Sequence, residues 1–118
     1  MKTILIAEDN DSNYILMTYI LKHHYQFLRA RNGQEAVDIV LKGDVDLVLM
    51  DIKMPVMDGL EATRQIKKER PALPVVALTA NAFDSDRQLA HEAGCDAFLA
   101  KPVSSADCLA VIRSLVGE

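Results

Sequence analysis

The chain has 118 residues, the length of one ordinary domain and too short for two separate hydrophobic cores. Hydrophobic residues make up 50% of it and charged residues 25%, a globular composition that argues against disorder. The net charge of −4 argues against a domain that binds nucleic acid or anionic membranes. Cys95 and Cys108 have no zinc-binding spacing, and no apolar run reaches the roughly 18 residues of a membrane span. We therefore expect a cytoplasmic domain without membrane or nucleic-acid contacts.

Five short apolar segments are spaced regularly along the chain and predict five β-strands. They cover residues 3–7, 25–30, 45–50, 74–78 and 97–100. The first, third and fourth contain almost no polar residues, which is typical of strands buried on both faces of a parallel sheet.

The segments that follow the strands have the apolar spacing of helices. The residues expected to face the core are Leu16, Met17, Ile20 and Leu21, then Ala36, Val37, Val40 and Leu41, then Leu60 and Ile66, then Leu89, Ala90 and Ala93, and finally Leu109, Ile112 and Leu115 or Val116. Gly94 predicts the end of the fourth helix. Strand and helix alternate five times, which predicts an α/β fold of three layers with right-handed crossovers. The last helix uses the remaining chain, so we expect no output domain here.

Functional side chains are expected at the carboxyl ends of the strands, because open parallel sheets bind ligands there. Four strands are followed directly by polar residues: Glu8 and Asp9 after the first, Asp51 after the third, Thr79 after the fourth and Lys101 after the fifth. Any one of them alone would be explained as a helix cap or a solvated residue. Together they predict a site with three carboxylates, a hydroxyl and an ammonium group.

This set of groups suits a divalent metal ion and a phosphoryl group. Adjacent carboxylates repel one another by about 1–4 kcal/mol per pair at about 4 Å, and Mg²⁺ removes that repulsion. Thr79 and Lys101 offer hydrogen-bond donors to phosphoryl oxygens, with Lys acting as a point charge. A carboxylate remains available as the nucleophile. The sequence therefore predicts a metal-assisted phosphoryl site.

At these residues the chain strongly resembles the receiver domain of response regulators in two-component signalling. The matching segments are 4–10 with its acidic pair, 47–59 around Asp51, 75–80 ending in Thr79-Ala80 and 98–102 ending in Lys101-Pro102. The resemblance implies a flavodoxin-like, doubly wound fold: a five-stranded parallel sheet in the order 2-1-3-4-5 with five helices on both faces. It also implies that residues 1–118 form a single receiver domain.

Carried over by position, the resemblance assigns the acceptor and the metal ligands. Asp51 would take a phosphoryl group from a phosphohistidine supplied by a kinase. Asp9 would hold Mg²⁺ directly and Glu8 through water, together with Asp51 and the main-chain carbonyl of Lys53. Mg²⁺ is therefore the expected cofactor.

The resemblance also assigns the phosphoryl-binding and switching residues. Thr79 and Lys101 would each bind a phosphoryl oxygen. Phe98 occupies the position of an aromatic switch that turns inward when the threonine moves. The Lys101-Pro102 peptide bond is cis in most relatives.

Finer sequence features resemble the receivers of hybrid sensor histidine kinases, in segments 8–10, 54–59 and 78–82. Such receivers pass the phosphoryl group on, which implies a histidine kinase and a histidine phosphotransfer protein as partners. A stand-alone regulator that acts by protein binding is the alternative. The resemblance implies a monomer or a weak dimer formed through the fourth helix, fifth strand and fifth helix.

The chain departs from the family pattern at two places. His23 and His24 close the first helix where relatives often have Leu-Gly, so we expect a strained turn without glycine. Lys53 and Asn81 fill variable positions that affect how long the phosphoryl group survives.

A Mg²⁺-dependent phosphohydrolase of the haloacid dehalogenase type is the alternative from another class. Such an enzyme needs a second Asp two residues after the nucleophile, where this chain has Lys53, and carries its nucleophile on the first strand. A dinucleotide or flavin binder is disfavoured, because no Gly-x-Gly-x-x-Gly follows the first strand. A domain that only docks is disfavoured because every required residue is present. We therefore expect a signalling domain rather than an enzyme.

Overall fold

A computed structural model of the chain describes residues 1–80 and 84–117. The strands are β1 (Thr3–Ala7), β2 (Gln26–Ala30), β3 (Leu47–Asp51), β4 (Val75–Thr79) and β5 (Ala97–Ala100). The helices are α1 (Asp11–Leu21), α2 (Gly33–Lys42), α3 (Gly59–Glu69), α4 (Asp84–Ala93) and α5 (Ser105–Val116). Asn81, which belongs to one of the sequence predictions, lies outside the described residues. No helix in the described ranges has both the length and the apolarity that a membrane crossing needs.

The five strands form one parallel sheet in the order β2-β1-β3-β4-β5, as predicted. Every residue of β3 and β4 is buried, whereas β2, at the edge, alternates between exposed and partly buried positions until the buried Ala30. The continuous apolar strands therefore occupy the centre of the sheet, where helices cover both faces.

Two hydrophobic clusters lie on opposite faces of the sheet. One contains side chains from α1 and α5, with Ile6, Leu49 and Leu78 from the strands. The other contains side chains from α2 and α3, with Leu5 and Met50 from the strands. Because successive residues of a strand point to opposite faces, β1, β2, β3 and β4 each contribute to both clusters, whereas β5 contributes only to the first.

Three leucines that were expected in the core are instead exposed. Leu16, Leu41 and Leu89 have 42%, 42% and 45% of their surface accessible. Each helix packs on the sheet through a narrow row of side chains, and these leucines lie next to that row on the solvent side. In α1, for example, the buried residues are Met17, Ile20 and Leu21.

The turn after α1 is not strained, so that expectation was wrong. Lys22 keeps a right-handed helical conformation with φ of −56° and donates its N–H to the Thr18 carbonyl. The His24 N–H then donates to the Leu21 carbonyl at 2.9 Å. Since ordinary helical turns reverse the chain here, no residue needs the left-handed region. Among the described residues other than glycine, only Val56 has a positive φ, of 68°.

Two further local expectations are confirmed. Gly94 follows α4 with φ of +106°, and the Lys101-Pro102 bond is cis.

A network of polar contacts ties β4 and β5 together at their amino ends. The Asp96 carboxylate accepts hydrogen bonds from the Val75 N–H at 2.8 Å and from Lys67 Nζ at 2.7 Å. Lys67 Nζ also donates to the Leu73 carbonyl at 2.7 Å. We call this group of four residues the basal network, because it lies at the opposite edge of the sheet from the cleft described below.

Candidate functional site

The carboxyl ends of β1, β3, β4 and β5 surround a cleft of about 240 Å³. The residues lining it include six of the seven predicted site residues, Glu8, Asp9, Asp51, Lys53, Thr79 and Lys101, together with Asn10, Asn13, Ile52 and Ala80. Phe98, the seventh, does not line the cleft. Residues that are up to 93 positions apart in sequence thus meet at one edge of the sheet.

Three carboxylates meet in this cleft. Glu8, Asp9 and Asp51 each offer an oxygen atom, and these atoms lie within 4.8 Å of one another. Glu8 and Asp51 are only 1% and 6% exposed, whereas Asp9 lies at the surface. Oxygen ligands at this spacing, open to solvent on one side, are suited to a hard divalent cation that retains some of its water.

Lys101 links the two buried carboxylates. Its Nζ donates to Glu8 Oε1 at 2.8 Å and lies 3.4 Å from Asp51 Oδ1. The ammonium group therefore lies where it partly neutralises both acids. Burial opposes its charge, but the two carboxylates prevail and raise the pKa of Lys101.

The two buried carboxyl groups have opposite pKa shifts. Burial, together with the hydrogen bond and negative charge of Glu8, raises the pKa of Asp51 to about 7, although Lys101 opposes this shift. Burial also acts to raise the pKa of Glu8, but its hydrogen bonds with Asp51 and Lys101 outweigh burial and lower that pKa. Between these groups, Glu8 carries the negative charge and Asp51 holds a proton up to near-neutral pH.

The loop after β3 is folded back against the strand that carries Asp51. The Lys53 N–H donates to Asp51 Oδ1 at 3.3 Å, and the Gly59 N–H donates to the Ile52 carbonyl at 2.8 Å. A β-carbon on Gly59 would collide with the Asp51 backbone carbonyl. Asp58 caps the start of α3 by accepting from the Glu61 N–H at 2.9 Å. Glycine is thus needed here for a close backbone approach.

Thr79 and Phe98 lie on the neighbouring strands β4 and β5. Thr79 is buried at the end of β4, and its carbonyl accepts from the Lys101 N–H at 2.7 Å. Phe98 is half-buried, with the Arg87 guanidinium 5.0 Å from the centre of its ring. The ring therefore lies under α4 rather than in the cleft.

Sequence reasoning missed Arg29, which holds the loop between β1 and α1. Its Nε and Nη2 donate to the Glu8 carbonyl at 3.2 and 3.1 Å, and Nη2 also reaches the Asp9 carbonyl at 3.4 Å. Its side chain forms an ion pair of 2.9 Å with Asp11. An arginine near the end of the edge strand β2 is the available sequence signal, but only the strand order reveals which loop it reaches.

Asp11 follows the acidic pair in sequence but is not among the clustered carboxylates. It pairs with Arg29 and, at 3.5 Å, with Arg31. The Arg29 hydrogen bond and charge, with a smaller contribution from Arg31, lower the pKa of Asp11.

Comparison with known proteins gives consistent matches over nearly the whole chain. The family model "Response regulator receiver domain" matches residues 4–113. The polar-differentiation response regulator DivK of Brucella anthropi is 37% identical, with 99% of this chain and 98% of that protein aligned.

Solved structures of receiver domains superpose closely on this chain. The receiver of sensor histidine kinase PA1611 from Pseudomonas aeruginosa, which has a magnesium ion coordinated in its active-site cleft, is 33% identical with a TM-score of 0.92 and coverage of 99% and 98% of the two chains. The Saccharomyces cerevisiae Ssk1 receiver, crystallised with the histidine phosphotransfer protein Ypd1, is 32% identical with a TM-score of 0.92 and coverage of 98% and 89%.

Receiver domains are phosphoacceptor modules of signalling pathways and not enzymes in the ordinary sense, which removes the phosphohydrolase alternative. With the family model matching from β1 into α5, and with the predicted strand order and an acidic cleft at the carboxyl edge of the sheet, the chain belongs to the response regulator receiver domain family of two-component signalling.

Proposed function

We propose that residues 1–118 act as one receiver domain that transfers a phosphoryl group from a kinase phosphohistidine onto Asp51. The supporting observation is the position of Asp51 at the end of β3, with Lys101 Nζ 3.4 Å away and two further carboxylates beside it. In this reaction a P–O bond to Asp51 forms while the P–N bond of phosphohistidine breaks. The histidine nitrogen keeps the electron pair of the broken bond, and the ring leaves as a neutral imidazole because its other nitrogen carries a proton in the reacting phosphohistidine.

Glu8, Asp9, Asp51 and the main-chain carbonyl of Lys53 are the proposed ligands of Mg²⁺. The three clustered carboxylates support this set, because hard cations prefer oxygen ligands. Bound there, Mg²⁺ would offset the negative charge of the carboxylates and of the phosphoryl oxygens. The magnesium-bound receiver of PA1611, at 33% identity, also supports the proposal.

Thr79 and Lys101 are the proposed donors to the transferred phosphoryl group. Phosphoryl transfer passes through a loose transition state whose charge lies on three equatorial oxygens, so positioned donors account for much of the catalysis. Lys101 already spans the two buried carboxylates, and the Thr79 main chain is hydrogen-bonded to Lys101. The two residues are therefore held as neighbours.

The proposed output is a change in the surface formed by α4, β5 and α5, in which Thr79 and Phe98 move together. Thr79 pairs with Ala100 in the register of β4 and β5, so a shift at Thr79 acts directly on the strand that carries Phe98. A dimer through this same surface, or a monomer that exposes it, is consistent with the proposal, and sedimentation velocity separates the two.

An exposed apolar patch on α1 supports docking of a kinase and of a histidine phosphotransfer protein. Ile15, Leu16 and Tyr19 are 51%, 42% and 64% exposed, and Leu16 borders a cavity shared with Glu8 and Lys101. A partner seated on this patch would bring its histidine to the cleft. The Ssk1 receiver, 32% identical, was crystallised with such a phosphotransfer protein.

Two settings for the domain each have one supporting observation. The DivK relative of Brucella anthropi, at 37% identity, is itself named a response regulator and aligns over 98% of its own length, which supports a stand-alone regulator. The receiver of the sensor kinase PA1611 supports a receiver within a hybrid kinase. The size of the native polypeptide on an immunoblot distinguishes the two settings: a stand-alone regulator has the size of one domain, and a hybrid kinase is much larger. We propose a cytoplasmic location, which suits free cysteines such as Cys95 and Cys108.

Acetyl phosphate tests the proposed acceptor without a kinase. We expect the protein with Mg²⁺ to gain about 80 Da in intact-mass spectrometry, the mass of one phosphoryl group. The adduct should be absent in EDTA and in Asp51→Asn, while Asp58→Asn serves as the nearby carboxylate control. Labelling that persists in Asp51→Asn, or that is equally strong in EDTA, overturns the assignment.

A further inference from the structure

We infer that Arg29 is a positioning residue for the metal site: its guanidinium group holds the loop between β1 and α1 in the conformation from which Glu8 and Asp9 face the cleft. This inference rests on the proposed Mg²⁺ site. It assigns a function to a residue on β2, the edge strand, whose own side chain does not line the cleft.

The contacts of Arg29 fall on the backbone of the ligand-bearing loop. Two of its nitrogens converge on the Glu8 carbonyl at 3.1 and 3.2 Å, and one of them reaches the Asp9 carbonyl at 3.4 Å. On the other side of the same residue, the Glu8 N–H donates to the Ala30 carbonyl at 3.0 Å. The main chain of Glu8 is therefore attached to β2 through both its N–H and its carbonyl.

The guanidinium group itself is held on two further sides. Asp11 accepts an ion pair at 2.9 Å, and the Tyr14 ring lies under the guanidinium carbon at 4.3 Å. The Arg29 side chain is only 14% exposed. A planar group fixed between a ring and a carboxylate can direct its hydrogen bonds, whereas a mobile surface arginine cannot.

Electrostatics alone predicts the opposite effect from positioning, which makes the inference testable. A positive charge close to the acidic loop repels a second cation, so removing it by itself would strengthen Mg²⁺ binding. Loss of the hydrogen bonds to the loop would instead weaken binding, because the ligands must then be ordered when the metal binds. The sign of the change therefore distinguishes a positioning residue from a neighbouring charge.

Arg31 provides the matched control. It also pairs with Asp11, at 3.5 Å, but is well exposed, and none of its described contacts reaches the Glu8 or Asp9 carbonyl. Arg31→Gln and Arg29→Gln each remove one positive charge near the loop. Only the second removes the hydrogen bonds to the ligand-bearing backbone.

The experiment is isothermal titration of the full chain with MgCl₂. We expect Arg29→Gln to weaken Mg²⁺ binding about 10-fold, in line with other residues that orient metal ligands. Arg31→Gln should bind as tightly as the original chain or more tightly. Arg29→Lys keeps the charge but loses the planar fork, so it should also bind more weakly than the original chain. Unchanged or tighter binding by Arg29→Gln, or an equal loss in Arg31→Gln, overturns the inference.

Hydrogen exchange in EDTA provides a readout that does not need the metal. Amide exchange in residues 9–13 should accelerate in Arg29→Gln and stay unchanged in Arg31→Gln, while exchange in β3 and β4 stays slow in both and shows that the fold is intact. If the original chain failed to bind Mg²⁺, the proposed metal site would be wrong. The difference in amide exchange between Arg29→Gln and Arg31→Gln would still show whether Arg29 holds the loop.

Discussion

Asp51 and Glu8 are neighbouring carboxyl groups whose pKa values are shifted in opposite directions. Lys101 approaches Glu8 more closely than Asp51, at 2.8 Å against 3.4 Å. The negative charge therefore resides on Glu8, and Asp51, the proposed acceptor, retains its proton up to a pKa of about 7. A nucleophile must be ionised, so divalent cation binding and the ionisation of Asp51 should favour each other.

The raised pKa of Asp51 predicts how stability depends on pH in EDTA. The pKa is 3.8 in the unfolded chain and about 7 in the folded one. As pH rises between these values, the unfolded chain releases a proton that the folded chain retains, so Asp51 makes a growing contribution against folding. Asp51→Asn removes that contribution and should raise the free energy of unfolding by about 1–3 kcal/mol at pH 8, with little effect at pH 4.

Urea unfolding at both pH values measures this difference. Asp44→Asn, at an exposed position in the loop between α2 and β3, is the control and should change stability little at either pH. An equal effect of Asp51→Asn at pH 4 and pH 8 would contradict the pKa assignment.

Lys53 should control the lifetime of the phosphorylated state. Its side chain is exposed at the rim of the cleft, where water must approach the Asp51–phosphorus bond from the loop side. We expect a long side chain there to exclude water, so Lys53→Ala should shorten the half-life about 3–10-fold, or about 0.7–1.4 kcal/mol of barrier. Phosphorus NMR at saturating Mg²⁺ follows the decay, with Lys68→Ala on α3 as control. A half-life that is unchanged or longer excludes shielding by Lys53.

At the scale of elements, the junction between β3 and α3 depends on Gly59. A methyl group there would meet the Asp51 backbone carbonyl, which cannot move without displacing the end of β3. Gly59→Ala should therefore lower the free energy of unfolding by about 1–3 kcal/mol, despite the better helix propensity of alanine.

Gly43→Ala is the matched control for Gly59→Ala. A β-carbon on Gly43 would be 3.5 Å from the Ile39 carbonyl, an ordinary contact, so its effect on the urea midpoint should be small. Equal losses of stability in the two variants would show that the close approach of Gly59 to the Asp51 carbonyl does not account for the effect of Gly59→Ala.

The strands were predictable because central parallel strands are nearly pure apolar runs, each followed by a polar residue. Their order was predicted only from the resemblance to receiver domains. The position of a helix stripe was less predictable, since Leu16 is as apolar as Met17 and only the contact with the sheet separates them. The turn after α1 was predicted wrongly because hydrogen bonds to Thr18 and Leu21 allow an ordinary helical ending without glycine.

Within the site, the polar side chains at the ends of strands were predictable from the sequence. Contacts between a side chain on one strand and the loop after another strand were not. Glu8 and Lys101 follow their strands and Asp51 ends its own, and the sequence predicted that these side chains meet at one edge of the sheet. Arg29 acts on a loop that lies 20 positions away, and this relation exists only after β2 has paired with β1.

At the scale of the whole molecule, phosphorylation should alter the α4–β5–α5 surface. Arg87 of α4 lies over the Phe98 ring, so an inward turn of Phe98 requires this contact to break. Beryllofluoride with Mg²⁺ should shift amide NMR signals in residues 84–100 as well as around Asp51. Differential contacts of a few kcal/mol between two states are sufficient for such a shift. Changes confined to the Asp51 loop would exclude the proposed coupling, and Thr79→Ala should abolish the distant shifts.

The basal network determines how such a change can spread. Lys67, Leu73, Val75 and Asp96 fix the amino ends of β4 and β5, whereas the opposite ends of the strands carry Thr79 and Lys101. Because these hydrogen bonds hold the amino ends of β4 and β5, we expect displacement on phosphorylation to grow with distance from the basal network and to be largest beside the proposed phosphoryl site. Signalling motion should therefore leave the base of the fold undisturbed, so that the outer surface changes while the hydrophobic core stays packed.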